Sequence, residues 1–271
     1  MILRGFLIAA SGFLFIFSPG LPIGLLSRRS PSFNRELIYW GMGLWLVSLI
    51  PSLFIQSLMR QALLGGGAGR DLSSRPMDYT LTLLGALLTA LIVVGAMALL
   101  LRWRKVEPGA LEPNGLALGF GIGLIAQIFT GLGLVSSGFR LMFGDVSTPT
   151  LATLAQSGVI ELVLGLLPLI LFRPALLAVS AAQGVLAGRA LRAGQASFWL
   201  AVLVGGVFTW AILAVQLAFG AQNPGQFLLG STDLLNSLVT SVYYLLAFAL
   251  AYRWLTGQMA EWENPNLKRK R

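Results

Sequence analysis

Three ionisable residues stand where apolar sequence would bury them. Glu161 sits in Gly158-Val159-Ile160-Glu161-Leu162-Val163, Arg173 lies between Phe172 and Pro174, and Asp233 follows Gly230-Ser231-Thr232. A carboxylate and a guanidinium inside a bilayer could bind a polar group or hold each other, since a lone charge there costs several kcal/mol. Glu161 and Arg173 are 12 positions apart, about 18 Å along a straight helix. They can meet only across a bend, which Pro168 and Pro174 permit. Asp233 has a simpler reading as a helix N-cap, because Ser/Thr/Asp before an apolar run satisfies free amide groups. The remaining acids, Glu36, Asp71, Asp78, Glu107, Glu112, Asp145, Glu261 and Glu263, read as loop residues. No pair of them assembles into a general acid and base. The chain has no histidine and no cysteine. It therefore lacks the usual ligands for zinc, copper and haem and the usual nucleophile–base pairs, and no metal or cofactor is expected.

The elements that must position these residues are membrane spans. Hydrophobic residues make up 56% of the 271 and charged ones 11%, outside the range of water-soluble domains. A spanning helix needs about 20 apolar residues. Runs of that kind occur at Phe6–Leu26, Leu37–Leu58, Tyr79–Leu101, Gly115–Val135, Ile160–Ala190, Phe198–Phe219 and Leu234–Tyr252. The pattern predicts an all-α polytopic bundle, residues 1–271 forming one integral membrane domain with a short basic tail over 253–271. The net charge of +9 is spread over the ends of the apolar runs, which argues against nucleic-acid binding.

Charge placement chooses between seven spans and eight. With seven, Arg28, Arg29, Arg35, Arg102, Arg104, Lys105, Arg189, Arg192, Arg253 and the tail Lys268-Arg269-Lys270-Arg271 share one side. With eight, the tail moves to the opposite side and the bias reverses. The positive-inside rule favours seven, N-terminus out and C-terminus in. Thr150–Leu167 is then expected to be re-entrant or interfacial, leading into the fifth span. The alternative splits the chain at Phe172-Arg173-Pro174 and leaves Arg173 at the surface. An interior Arg173 should cost a few kcal/mol to remove, because its partners would be left unsatisfied.

Proline and glycine punctuate the spans. Ser18-Pro19-Gly20-Leu21-Pro22 should kink or break the first, and Pro51, Pro168 and Pro174 fall in the second and fifth. Gly119-x-x-x-Gly123 presents a small-residue face on which two helix backbones can approach closely. Gly65-Gly66-Gly67-Ala68-Gly69 reads as an outer loop.

The order of features resembles the YhfC family, intramembrane metalloproteases related in architecture to the CAAX-processing and PrsW-like proteases. Leu21-Pro22-Ile23-Gly24-Leu25, Gln56-x-x-x-Arg60-Gln61-x-Leu63-Leu64, Leu99 to Arg104, and Asn114 to Gly121 carry the likeness. The resemblance implies a Glu-Glu-x-x-Arg where this chain has Thr89-Ala90-Leu91-Ile92-Val93. It implies a Gly-His-Gly-x-x-Glu where Gly121-Ile122-Gly123-Leu124-Ile125-Ala126 stands. Later histidines would fall at Val179-Ser180-Ala181 and near Gly205-Gly206-Val207. Every acid and ligand of that mechanism is replaced by an apolar or small residue, so the expectation is a non-catalytic member that keeps the scaffold. It would bind membrane lipids or a partner membrane protein in a bacterial inner membrane. A transporter or permease subunit and a structural subunit of a larger membrane complex are the alternatives.

Overall fold

A computed structural model describes residues 1–18, 34–64, 76–218 and 234–263. Among them the regular structure is helical. The helices are α1 (Ile2–Phe17), α2 (Glu36–Leu64), α3 (Pro76–Trp103), α4 (Leu111–Met142), α5 (Pro149–Gln156), α6 (Val159–Ala193), α7 (Gln195–Ala218) and α8 (Leu234–Glu263). A single 3-10 turn, Pro108–Ala110, leads into α4. Six helices, α2, α3, α4, α6, α7 and α8, are long and apolar enough to cross a membrane, and α1 is apolar but shorter.

Apolar side chains point outward as well as inward. Val47, Ile50 and Phe54 on α2, Leu200 and Leu203 on α7, and Leu246 and Leu250 on α8 are exposed. Such contiguous apolar surface is prohibitive in water and ordinary against lipid. At one end of the bundle, Trp40 and Trp103 meet edge to face at 5.8 Å, with Arg104 over Trp40 and bonded to Glu36 at 2.6 Å. That aromatic and basic rim has the composition of a membrane–water interface.

Helix α4 is the central element. α6, α1 and α2 wrap it, and α8 and α7 close over α6. The reason is its glycines, placed on more than one face. Gly119 faces the Ser180 backbone and Gly123 faces Leu177, so the predicted small-residue face forms the seam with α6. Gly115 and Gly184 meet across the same seam with almost no space between backbones. On another face Gly131 opposes Gly12 and Gly138 opposes Gly5 of α1, where a Cβ on Gly12 would lie 2.6 Å from the Gly131 carbonyl oxygen. Close approach of this kind replaces the hydrophobic driving force that lipid cannot supply.

Two expectations need correction. α6 runs as one helix from Val159 through Pro168 and Pro174 to Ala193, so Val159–Leu167 is not a re-entrant lead-in. Only the short α5 and the link to Gly158 precede the span. Residues 253–263 are not tail but the last turns of α8, where Leu255 and Gln258 are buried. Gly65–Gly69, Asp233 and Lys268–Arg271 lie outside the described residues.

Candidate functional site: a mid-depth polar layer beside an apolar cleft

Arg173 is 7% exposed. It lies one position from Pro174, on the helix that packs along α4. Its Nη1 donates to the carbonyl of Ala126 at 3.2 Å, and its guanidinium sits 4.7 Å from the centre of the Phe172 ring. Its Nε has no partner, and none of the ion pairs among the described residues includes it. Ala126 stands halfway along α4, about 22–24 Å from either end at 1.5 Å per residue. The charge is therefore at mid-depth.

Two neighbours in that layer share the deficit. Gln127 is buried, and its Nε2 donates to Ser18 Oγ at 2.9 Å while Oε1 has no partner. Turning the amide over exchanges its ends and still leaves one unpaired. Tyr244, fully buried on α8 among Phe172, Phe208 and Tyr243, also has an unpartnered hydroxyl. Among the described residues these three side chains hold all the buried polar atoms without a partner. Unpaired buried donors and acceptors are rare, and each calls for an explanation.

Gln127 opens onto a cleft of about 550 Å³ between α1, α4, α6 and α8. Leu116 and Phe120 of α4, Ile170 and Leu177 of α6, and Phe248 and Leu255 of α8 form its walls. Ser18, Gln127, Tyr252 and Thr256 are the polar residues on it. From Gln127 to Leu116 it extends about 16 Å along α4.

A second buried charge lies at the Trp40–Trp103 end of the bundle, and sequence reasoning missed it by leaving it in a loop. Glu112, in the first turn of α4, is 3% exposed. Its carboxylate accepts from Arg189 at 3.1 Å, from Arg192, and from Trp262 Nε1 at 3.2 Å. Arg189 also donates to Gln258 and lies over the Trp254 ring. α4, α6 and α8 are thus tied together at one end. Spacing held the signal: Arg189 and Arg192 fall on one helix face, as do Gln258 and Trp262.

Glu161 does not join Arg173. It is exposed in the first turn of α6, where its carboxylate accepts the Gly158 N–H at 2.9 Å. A carboxylate three residues into a helix satisfies a free amide and complements the positive helix end. The helix between Glu161 and Arg173 is unbroken, so the bend that would unite them is absent. Arg173 is interior rather than at the surface of a divided span.

Ile122 and Ala126, where the His and Glu of the resembled motif would fall, are apolar and buried, and the glycines beside them pack against neighbouring helices. A Cβ on Gly121 would strike the Ile38 carbonyl of α2, and one on Gly123 would lie 2.8 Å from Leu177 Cα. Ser180 meets Gly119, and Gly205 meets the Gln183 side chain. Among the described residues no group of three or more acids could hold a metal ion. No protein-family model, no curated protein and no solved structure matches this chain.

Proposed function

We propose that the chain is a non-catalytic, multi-pass protein of a bacterial cytoplasmic membrane, a degenerate YhfC-like scaffold that holds a lipid chain in its lateral cleft. The observation that carries this reading is the cleft itself, apolar along its walls and polar where Gln127 and Ser18 meet. Pockets of this size and lining suit a small amphiphile. The reading without catalytic residues is supported by Ile122 and Ala126, apolar and buried where the His and Glu of the resembled motif would fall.

A transport role draws on one observation, the charge of Arg173 at mid-depth. Transporter sites at that depth are commonly built from broken helices, whereas α4 and α6 run unbroken past the layer. The orientation that goes with the proposal counts α1 as a seventh span, with the Glu112 end in the cytoplasm, on charge grounds. A reporter active only in the periplasm should be silent when fused after Arg271; activity there would reverse the topology.

The lipid reading is tested on protein purified in mild detergent, by native mass spectrometry of what stays bound. Wild type should retain an apolar chain. Ile170→Trp and Thr256→Trp, which narrow the cleft from α6 and from α8, should each release it. Retention unchanged by both variants, or no retained chain in wild type, would sink the proposal.

A further inference from the structure

The cleft reading leaves the mid-depth charge unexplained, and the charge narrows what the ligand must be. We infer that the occupant is a single-chain carboxylic acid, its carboxylate held at Gln127 and Arg173 and its chain running along the cleft toward Leu116. This inference rests on the lipid-chain reading above and adds the chemistry of the head.

Arginine remains charged in any protein setting. Here the guanidinium is buried, with one carbonyl and one ring face as partners and a free Nε–H. A buried cation without an anion is unfavourable by itself and becomes favourable when an anion arrives with good geometry. The guanidinium fork matches a carboxylate. Arg173 bonds the carbonyl of Ala126, the residue before the cleft-lining Gln127, and it is flanked on its own helix by the cleft-lining Ile170 and Pro174. Arg173 does not itself line the cleft. It lies behind the Ile170 and Pro174 wall at the end where Gln127 lies, so a carboxylate at Gln127 would have to draw the guanidinium forward to meet it. Gln127 adds an amide with one unpaired end, which can turn to donate to a carboxylate.

The size of the head follows from what is missing. Among the described residues the cleft offers at Gln127 one amide and one serine hydroxyl, with the Arg173 guanidinium behind them and Tyr252 and Thr256 the other polar residues on the lining. A phosphodiester with its glycerol or sugar would leave most of its oxygens unpaired there, which costs free energy. A carboxylate has two oxygens, and Arg173 and Gln127 can satisfy both. The tail then has about 16 Å of apolar wall, the reach of a medium-length acyl chain.

The test uses the full-length protein in detergent or nanodiscs and two photoactivatable probes of equal chain length, a fatty acid and the matching fatty alcohol. Irradiation followed by peptide mapping should place the acid on cleft residues such as Phe120 and Phe248, with labelling about tenfold above the alcohol, as one charge-assisted hydrogen bond would give. Arg173→Gln should erase the preference while leaving the alcohol's labelling in place, and Arg173→Lys should keep part of it. Should Arg173 variants not fold, Gln127→Leu must reduce the preference, and saturation with unlabelled fatty acid must raise the wild-type Tm more than the alcohol does. Equal labelling by acid and alcohol in wild type would overturn the carboxylate inference and leave the lipid-chain reading standing. Labelling of the cleft by neither probe would remove both.

Discussion

The bundle buries two charges, Glu112 at one end and Arg173 at mid-depth, and it treats them oppositely. Glu112 is bonded by Arg189, Arg192 and Trp262, and Gln258 in turn holds Arg189. Arg173 has one carbonyl and one ring face, and its layer contains every unpartnered buried polar atom among the described residues. A saturated buried charge has nothing left to offer a ligand, so its role is to fix α4, α6 and α8 in register. A charge left half-satisfied costs stability in the empty protein and gains when an anion binds. The two regions separate fold maintenance from ligand capture within about 22 Å of the same helix.

Breaking the saturated region should have the largest effect. Glu112→Ala leaves Arg189 and Arg192 facing each other without their shared acceptor. Truncating one partner of a buried pair costs about 3–5 kcal/mol. The lower end applies, because both arginine side chains reach water and can turn toward it. A fall in Tm of several degrees in detergent is expected. A loss below about 1 kcal/mol, the range of surface pairs, would mean that the network is decorative and the contrast false.

The seam between the two regions offers a neutral reference. A Cβ on Gly184 would stand 2.8 Å from the Gly115 carbonyl carbon and 3.0 Å from the Gly119 nitrogen, all backbone that cannot turn aside. Gly184→Ala should cost about 2 kcal/mol, as overpacking does, with no charge removed. If it proves as stable as wild type, α4 and α6 have room to separate, and the tie at Glu112 carries less than proposed.

Arg173→Leu should cost little, within about 1 kcal/mol, because replacing an unpaired buried ion with an apolar side chain is often neutral or stabilising. The sequence expectation of a few kcal/mol assumed several partners left unsatisfied. Only the Ala126 carbonyl is, and Thr130 Oγ1 already donates to it. The variant should keep its Tm and lose its preference for the acid probe, the reverse of Glu112→Ala, which should lose Tm first. A steep drop in Tm would show that Arg173 belongs to the framework.

Much of this architecture is legible in the sequence. Six described long helices fall on the apolar runs because membrane insertion is decided by local composition. Gly119 and Gly123 announce the α4–α6 seam because a single helix face displays them. Of the first run, expected over Phe6–Leu26, the structure describes α1 to Phe17 with Ser18 after it, and the rest lies outside the described residues. Glu161 was misread because its spacing to Gly158, three residues, was weighed less than its apolar neighbours. Glu112 could not be placed from its neighbours at all, since its partners lie 77 to 150 positions away. Arg173 was found by the rarity of charge in an apolar run, but its lack of an acid partner is visible only in three dimensions.

The weakest charge sharpens the comparison by removing burial from it. Asp145, in the link after α4, is exposed to water. Hydrogen bonds from Ser147 and from Arg140 hold its carboxyl down, at about 2. Arg140 Nε reaches it at 2.7 Å, and the Ser147 N–H does so at 2.9 Å. A depressed carboxyl contributes stability above its unfolded value near 3.8 and loses it as pH falls through about 2. The pairing is closer than that of Arg189 with Glu112, so if pairing alone set the contribution, Asp145→Asn would rival Glu112→Ala. Solvent screening predicts otherwise. Asp145→Asn should leave Tm unchanged at pH 7. Between pH 4 and pH 2 only the amides of the 143–148 link should exchange faster with deuterium. Global unfolding in that window, abolished by Asp145→Asn, would show that an exposed pair can hold this bundle, and the distinction between the buried regions would then rest on something other than burial.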